Sequence, residues 1–439
     1  MSDTVRSVEP GGADPAPAAP PRRRKGPIGR FWDALGPGVI TGAADDDPSG
    51  IATYSIAGAQ FGAGFLWTAL LTWPLMAAVQ VMCARIGMVT GRGLMASLRK
   101  KLPRKLIMTM SAALFIANTL NVGADLSGMA DAGEMIFGVS SRMLVVLFGA
   151  TIAIATIRLR YAVLANTFKY LAMVLFSYVA AAFVLGPHWG EILKATIVPQ
   201  IPGGRAGWAT LVAILGTTIS PYLFFWQASQ EVEEEKAIGR RTLFSRRGAT
   251  PQELRRRRMD VGVGTFFSNV AMFFIILTTA LTLHEHGQRD PATSRQVAEA
   301  LQPIAGTGAA MLYAIGLIGT GALAIPTLAG SAAYALAETY AWRQGMDEKF
   351  SRARVFYLAI AASIAFGVAL DFANINPLRA LFWTGVINGM LAPFLLLSIL
   401  FVAIDAKLMR GQTSSWTSRI TVAVTAALLV GAAVGMLVL

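Results

Sequence analysis

Apolar runs of about 20 residues recur along nearly the whole of this 439-residue chain, separated by short polar segments. Each run is long enough for an α-helix to cross roughly 30 Å of hydrocarbon. Apolar residues make up 54% of the chain and charged residues only 14%, too little charge to cover a soluble protein of this size. The surrounding medium is therefore a lipid bilayer, and the chain reads as an all-α integral membrane protein. A net charge of +13 would suit a nucleic acid if it were gathered on one domain. Instead the basic residues lie in loops between apolar runs, with no basic, aromatic-interleaved region, which argues against a nucleic-acid partner.

Eleven spans are predicted, near 35–61, 65–90, 106–138, 143–157, 162–185, 208–231, 261–283, 304–342, 355–369, 377–403 and 420–439. With the N-terminus inside, 30 of the 38 basic residues fall in inner segments. Outer loops hold only Arg142, Lys194, Arg205, Arg289, Arg295 and Arg379. That alternating asymmetry predicts a multi-pass inner-membrane protein with a cytoplasmic N-terminus and an external C-terminus.

Residues 1–30 are rich in Pro, Ala and Gly, end near Arg22, Arg23, Arg24 and Lys25, and lack the apolar core of a signal peptide. They are expected to form a disordered cytoplasmic tail ahead of a transmembrane domain at 31–439. The single cysteine, Cys83, falls in an apolar run and reads as a small buried hydrophobe. A basic inner loop is predicted over 231–260, carrying Arg246, Arg247 and the run Arg255–Arg258. Holding that loop inside is its simplest role, and a phospholipid-binding switch is the alternative.

Two spans are interrupted at matching places. In the first, Asp45, Asp46, Asp47, Pro48, Ser49 and Gly50 break an apolar helix; in the sixth, Thr217, Thr218, Ile219, Ser220, Pro221 and Tyr222 do so. Proline removes a helix donor, glycine tolerates irregular backbone, and a carboxylate at membrane depth normally marks an ion or substrate site. The breaks are marked by Pro48, Gly50, Pro221 and Tyr222. Pro48 lies 13 residues into its span, and so does Pro221. Five spans separate the two starts, so the halves enter from opposite sides and form a five-plus-five inverted repeat. The expected repeats cover about 35–186 and 208–403, with an extra helix at 420–439. Paired interruptions in corresponding helices point to a transporter's central site, where freed carbonyls can coordinate a cation.

At these residues the sequence resembles the Nramp family of divalent-metal transporters. Gly36-Pro37-Gly38, Asp47-Pro48 and Ala57-Gly58-Ala59-Gln60-Phe61-Gly62 match the family's first helix. The resemblance implies a LeuT-type fold with helices 1 and 6 broken. It assigns the ion to Asp47, and the carry-over of the proton-path acid is Asp125. The departures matter equally. Gly50 stands where the family has its ligand asparagine, Ser49 where it has glycine, and Ser220-Pro221-Tyr222 where it has Met-Pro-His. Gly128 replaces a glutamate and Gln227 a second histidine.

What remains is an oxygen-only donor set: Asp47, Asp46, the Ser220 hydroxyl and carbonyls near Ala44 and Thr217. Loss of a thioether removes a preference for softer metals, and the gap at Gly50 leaves room for the waters that Mg²⁺ retains. This resembles the Mg²⁺-associated branch of Nramp-related proteins. The expected function is transport of divalent cations, Mg²⁺ or Mn²⁺ foremost, by alternating access. A symporter for an amine or amino acid, with Asp47 as counter-ion, and a non-transporting sensor on the same fold are the rival readings. Asn388 is a further candidate, either lending an amide oxygen to the site or bonding between helices. Asp131 and Glu134 read as vestibule lining. No nucleophile–base pair or phosphate loop is present, so neither an enzyme nor a bound cofactor is expected. A monomer is the expected state.

Overall fold

The computed structural model describes residues 41–42, 44–159, 163, 173–200 and 203–438. The predicted tail, the opening of the first span and most of the first half of the fifth lie outside them. Among the described residues there are helices and no strands.

Nine helical stretches among these residues are long and apolar enough to cross a membrane. The first, Pro48–Thr90, has 43 residues, about twice what one crossing needs. It divides at a 3₁₀ turn, Gly62–Phe65, into α1 (Pro48–Phe61) and α2 (Leu66–Thr90). Gly62 opens that turn at φ 57°, a conformation that favours glycine. There follow α3 (Arg104–Phe137), α4 (Ser141–Arg158), the short apolar α5 (Ser177–Leu185), α6 (Gly204–Thr218) and α7 (Pro221–Ala237). The chain continues with α8 (Pro251–Thr279), α9 (Ala309–Tyr340), α10 (Arg354–Asp371), α11 (Pro377–Ala403) and α12 (Trp416–Val438). Helices at the places of the predicted spans are thus present among the described residues, the first only in part, the fifth only as the short α5, and the sixth as two halves.

Helix packing relies on small residues, since lipid offers apolar surfaces no incentive to leave it. A Cβ on Gly216 of α6 would collide with the backbone at Gly385 and Gly389 of α11. Gly123 of α3 and Gly367 of α10 face each other in the same way. Large side chains such as Leu70, Ile116, Phe183, Phe394 and Phe401 are instead exposed on the outside, where soluble proteins rarely place so many. Cys83 is buried, as its setting implied.

The predicted loops separate by end. At one end the segments after α2, α7, α9 and α11 touch one another. Gly248 N–H donates to the Val89 carbonyl at 2.9 Å, and Gln412 exchanges two hydrogen bonds with Ala249. Arg99 donates to the Glu338 carbonyl at 2.5 Å, and Lys101 pairs with Asp405. At the other end Arg142 bonds Asn374 at 2.6 Å and Asn376 reaches the Ala292 carbonyl at 2.9 Å. Four of the segments predicted to be basic and inner, those following spans two, six, eight and ten, therefore meet at one end of the bundle.

One segment differs from expectation. The loop predicted over 231–260 is mostly helix: α7 continues to Ala237 and α8 begins at Pro251, leaving 238–250 between. A capping box starts α8, with Thr250 accepting from Glu253 N–H and Glu253 reaching back to Thr250 N–H. Within the run Arg255–Arg258, Arg257 is not a loop charge. It is buried and bonds Glu231 at 2.8 Å, Asp260 at 2.5 Å, and Glu234. Charge alone marked the segment as a loop; three acids at helical spacing permit its burial.

Candidate cation site

Residues 44–45 are helical, the chain opens at Asp46 and Asp47, and α1 starts at Pro48. In the second half α6 ends at Thr218, the chain opens at Ile219 and Ser220, and α7 starts at Pro221. Each proline occupies the first turn of the helix that follows, where its missing N–H costs nothing and its fixed φ suits helix. The breaks are thus narrower than the sequence suggested. Gly50 and Tyr222, grouped with them on sequence, belong to the first turns of α1 and α7.

Asp47 caps α1. Its Oδ1 accepts the Gly50 N–H at 2.7 Å, so its charge sits at the positive end of a helix. Its Oδ2 is held only loosely, with Tyr222 Oη at 3.4 Å and Asn121 Nδ2 at 3.5 Å. Asp47 is 1% exposed, and among the described residues no ion pair reaches it. Ser220 caps α7 by position, but its side chain makes no capping bond; its buried Oγ has no hydrogen-bond partner among the described residues. Ser49 Oγ and Thr217 Oγ1 lie 3.4 Å apart, joining the two breaks. The Ala44 carbonyl accepts the Tyr222 hydroxyl at 2.7 Å. The structure therefore brings Asp47, Ala44, Thr217 and Ser220 to one region, between the two broken helices.

Asp46 is directed elsewhere. It and Asp45 both face Ser268 on α8, whose hydroxyl is 2.6 Å from Asp45 Oδ2 and 3.1 Å from Asp46 Oδ1. One hydroxyl proton serves two buried carboxylates there. Asp125 is fully buried on α3, near enough to Asp47 for their charges to interact, and neither of its oxygens makes a well-formed hydrogen bond.

Asn121 is the residue the sequence reading missed. It lies one turn before Asp125 and links outward, its Oδ1 accepting from Asn388 Nδ2 at 3.3 Å. A polar residue four positions from a membrane-depth acid was the available signal. Asn388 thus makes the helix–helix bond that was one of its two readings, while its own Oδ1 is buried without a partner among the described residues. Glu134 is exposed and accepts the Ser141 N–H at 3.0 Å, and Asp131 is half-buried. His188 and His284 line a separate cavity of about 520 Å³ at the far end of α1, where His284 Nδ1 donates to the Ala59 carbonyl at 2.8 Å.

Two helices broken at corresponding positions around a buried carboxylate define a polytopic membrane protein with the architecture of a secondary transporter. Comparison places it more closely. The chain belongs to the Nramp family: the family model described as natural resistance-associated macrophage protein-like matches residues 38–439. A divalent metal cation transporter, MntH, of Aeromonas hydrophila is 25% identical over 308 residues, covering 67% of this chain and 71% of that protein. MntH of Yersinia pestis is 26% identical over 307 residues with the same coverage. Among solved structures, an Eremococcus coleocola manganese transporter has a TM-score of 0.71 at 16% identity, covering 93% of this chain and 94% of that one. Mhp1, a nucleobase-cation-symport-1 family transporter, has a TM-score of 0.54 at 14% identity, covering 92% and 90%. The fold is the LeuT-type architecture with helices 1 and 6 broken.

Proposed function

We propose that this protein is a secondary transporter for divalent metal cations, Mg²⁺ or Mn²⁺ foremost, working by alternating access across the inner membrane. The observation that carries the reading is Asp47: a carboxylate buried between two broken helices, with one oxygen loosely held and no ion pair among the described residues. A buried charge without compensation is expensive, and a cation bound there supplies the compensation. The relatives named as divalent metal cation transporters support the same substrate class.

The donors around Asp47 favour a hard ion. The side chains at the two breaks offer carboxylate and hydroxyl oxygens, with no sulfur or imidazole from the positions where the resemblance led us to compare. Mg²⁺ is usually held by one or two carboxylates with waters retained. Gly50 adds no ligating side chain of its own, and a Cβ there would already meet the Asp45 carbonyl, Thr217 Oγ1 and Tyr54 at 3.4 Å. Entry of a dication down an inward-negative potential gains about 4.6 kcal/mol per 100 mV, enough to drive uptake without a coupled proton. The four basic segments that meet at one end support a cytoplasmic N-terminus and external C-terminus.

The test is uptake into proteoliposomes over a panel of divalent cations, with a pH reporter inside. Saturable uptake of Mg²⁺ or Mn²⁺ is expected. Binding of an amine or amino acid, with no divalent cation taken up, would transfer the site to the rival symporter reading.

A further inference from the structure

Tyr222 Oη has one proton and two oxygen neighbours. The Ala44 carbonyl is 2.7 Å away and Asp47 Oδ2 is 3.4 Å away. Hydroxyl donors bond acceptors at about 2.5–3.0 Å, so the proton belongs to the Ala44 carbonyl. The phenol oxygen then turns a lone pair toward a carboxylate oxygen with no proton between them. All three groups are buried. Two oxygens arranged that way repel unless something positive lies between.

The spacing suits a hard cation. Neighbouring ligands of an octahedral ion lie √2 times the metal–oxygen distance apart. That is about 2.9 Å for Mg²⁺ and about 3.3–3.7 Å for Ca²⁺. The two measured separations, 2.7 and 3.4 Å, fall on either side of the Mg²⁺ value, and the longer lies within the Ca²⁺ range. We propose that Tyr222 Oη is an oxygen ligand of the transported divalent cation, neighbouring the Ala44 carbonyl and Asp47 Oδ2 in its coordination shell. Tyr222 is thereby a specificity-determining residue: it offers the ion a neutral hard oxygen, and its hydroxyl proton orients the Ala44 carbonyl. The proposal rests on the reading of Asp47 as the cation's carboxylate.

The experiment uses the full chain in proteoliposomes, with Mg²⁺ uptake and Cd²⁺ competition as readouts and Asp47→Asn as reference. Tyr222→Phe removes one oxygen and keeps the ring. The position is held by its backbone, since the Tyr222 carbonyl accepts Ser331 Oγ at 2.7 Å whatever the side chain. Tyr222→Phe is expected to raise KM for Mg²⁺ about tenfold with the maximal rate little changed. Tyr222→His presents a borderline nitrogen from the same backbone position, set further back than the phenol oxygen, and Cd²⁺ should block it at lower concentration than the parent. An unchanged KM and an unchanged Cd²⁺ profile in these variants, with Asp47→Asn inactive, overturns the role of Tyr222 and leaves the Asp47 site standing. Normal uptake by Asp47→Asn overturns both. Should Tyr222→Phe fail to fold, the Cd²⁺ profile of Tyr222→His decides alone: unchanged competition overturns the proposal.

Discussion

Ser49 and Thr217 stand 168 positions apart in the chain, yet their hydroxyl oxygens lie 3.4 Å from each other. Each sits beside a helix break, Ser49 just after the first and Thr217 just before the second. The contact aligns the two breaks at one depth. Tyr54 Oη repeats the link one turn on, 3.4 Å from Thr218 Oγ1. The two broken helices are therefore joined by side-chain contacts on the approach to Asp47.

Asp47→Asn should abolish divalent-cation uptake. Asparagine caps a helix as well as aspartate does, so α1 should still begin at Pro48 and the folded protein should still be recovered. Only the charge is lost, and neutral oxygens poorly offset the dehydration of a dication. Uptake assays on the purified variant, alongside its melting temperature, separate the two effects. Normal transport by a well-folded variant would move the site elsewhere.

Rebuilding the missing donors should change ion preference. Gly50→Asn with Ser220→Met introduces an amide and a thioether at the two breaks. A Cβ at Gly50 would make ordinary contact with its neighbours, and Ser220 Oγ has no hydrogen-bond partner to lose among the described residues. Low concentrations of Cd²⁺ should block the double variant more strongly than the parent, because sulfur favours softer ions. Equal sensitivity would mean that neither side chain reaches the ion.

Uptake should follow membrane potential with little acidification of the vesicle interior. Gly128 stands where the resemblance led us to expect a glutamate, and the space is already taken: a Cβ there would lie 2.8 Å from Leu381 Cδ1. Gly128→Glu should therefore lower the melting temperature, and adding Leu381→Ala should recover part of the loss. Proton influx that tracks the cation and vanishes in Asp125→Asn would show instead that Asp125 relays protons.

Removing Arg257 should destabilise the protein by about 3 kcal/mol, because Glu231 and Asp260 would be left buried without their partner. Arg257→Met keeps the length of the side chain, so the loss reads charge rather than packing. A drop in melting temperature of several degrees is expected for Arg257→Met and almost none for Arg255→Met, which is exposed at the surface. Equal effects would show that Arg257 acts only as one of four loop charges.

Tags at the N-terminus and within the exposed stretch 242–247 should both be cytoplasmic, and a C-terminal tag external. Accessibility to a membrane-impermeant reagent in whole cells reads each position. Both termini on one side would contradict an odd number of crossings.

The sequence by itself determined the membrane spans, because hydrophobic length is a local property that the bilayer reads segment by segment. It also determined where the two helices break, since Pro48 and Pro221 dictate backbone behaviour wherever they fall. Carboxylates at membrane depth are legible in the same way and marked Asp45, Asp46 and Asp47 together; the resemblance to the family singled out Asp47. What each side chain faces was a different matter. Asp45, Asp46 and Asp47 are consecutive and chemically alike, yet Asp47 caps α1 and opens toward Tyr222, while its two neighbours turn to Ser268 on α8. Arg257 resembled its three basic neighbours until Glu231 and Glu234, more than twenty positions earlier, came within reach. Asn121 carried only the faint signal of a polar residue one turn from Asp125 until folding set it beside Asp47 and Asn388. Tertiary structure decided these cases because hydrogen bonds and ion pairs need remote residues to be placed to within a few tenths of an ångström. Span length and backbone breaks depend only on the residues nearby.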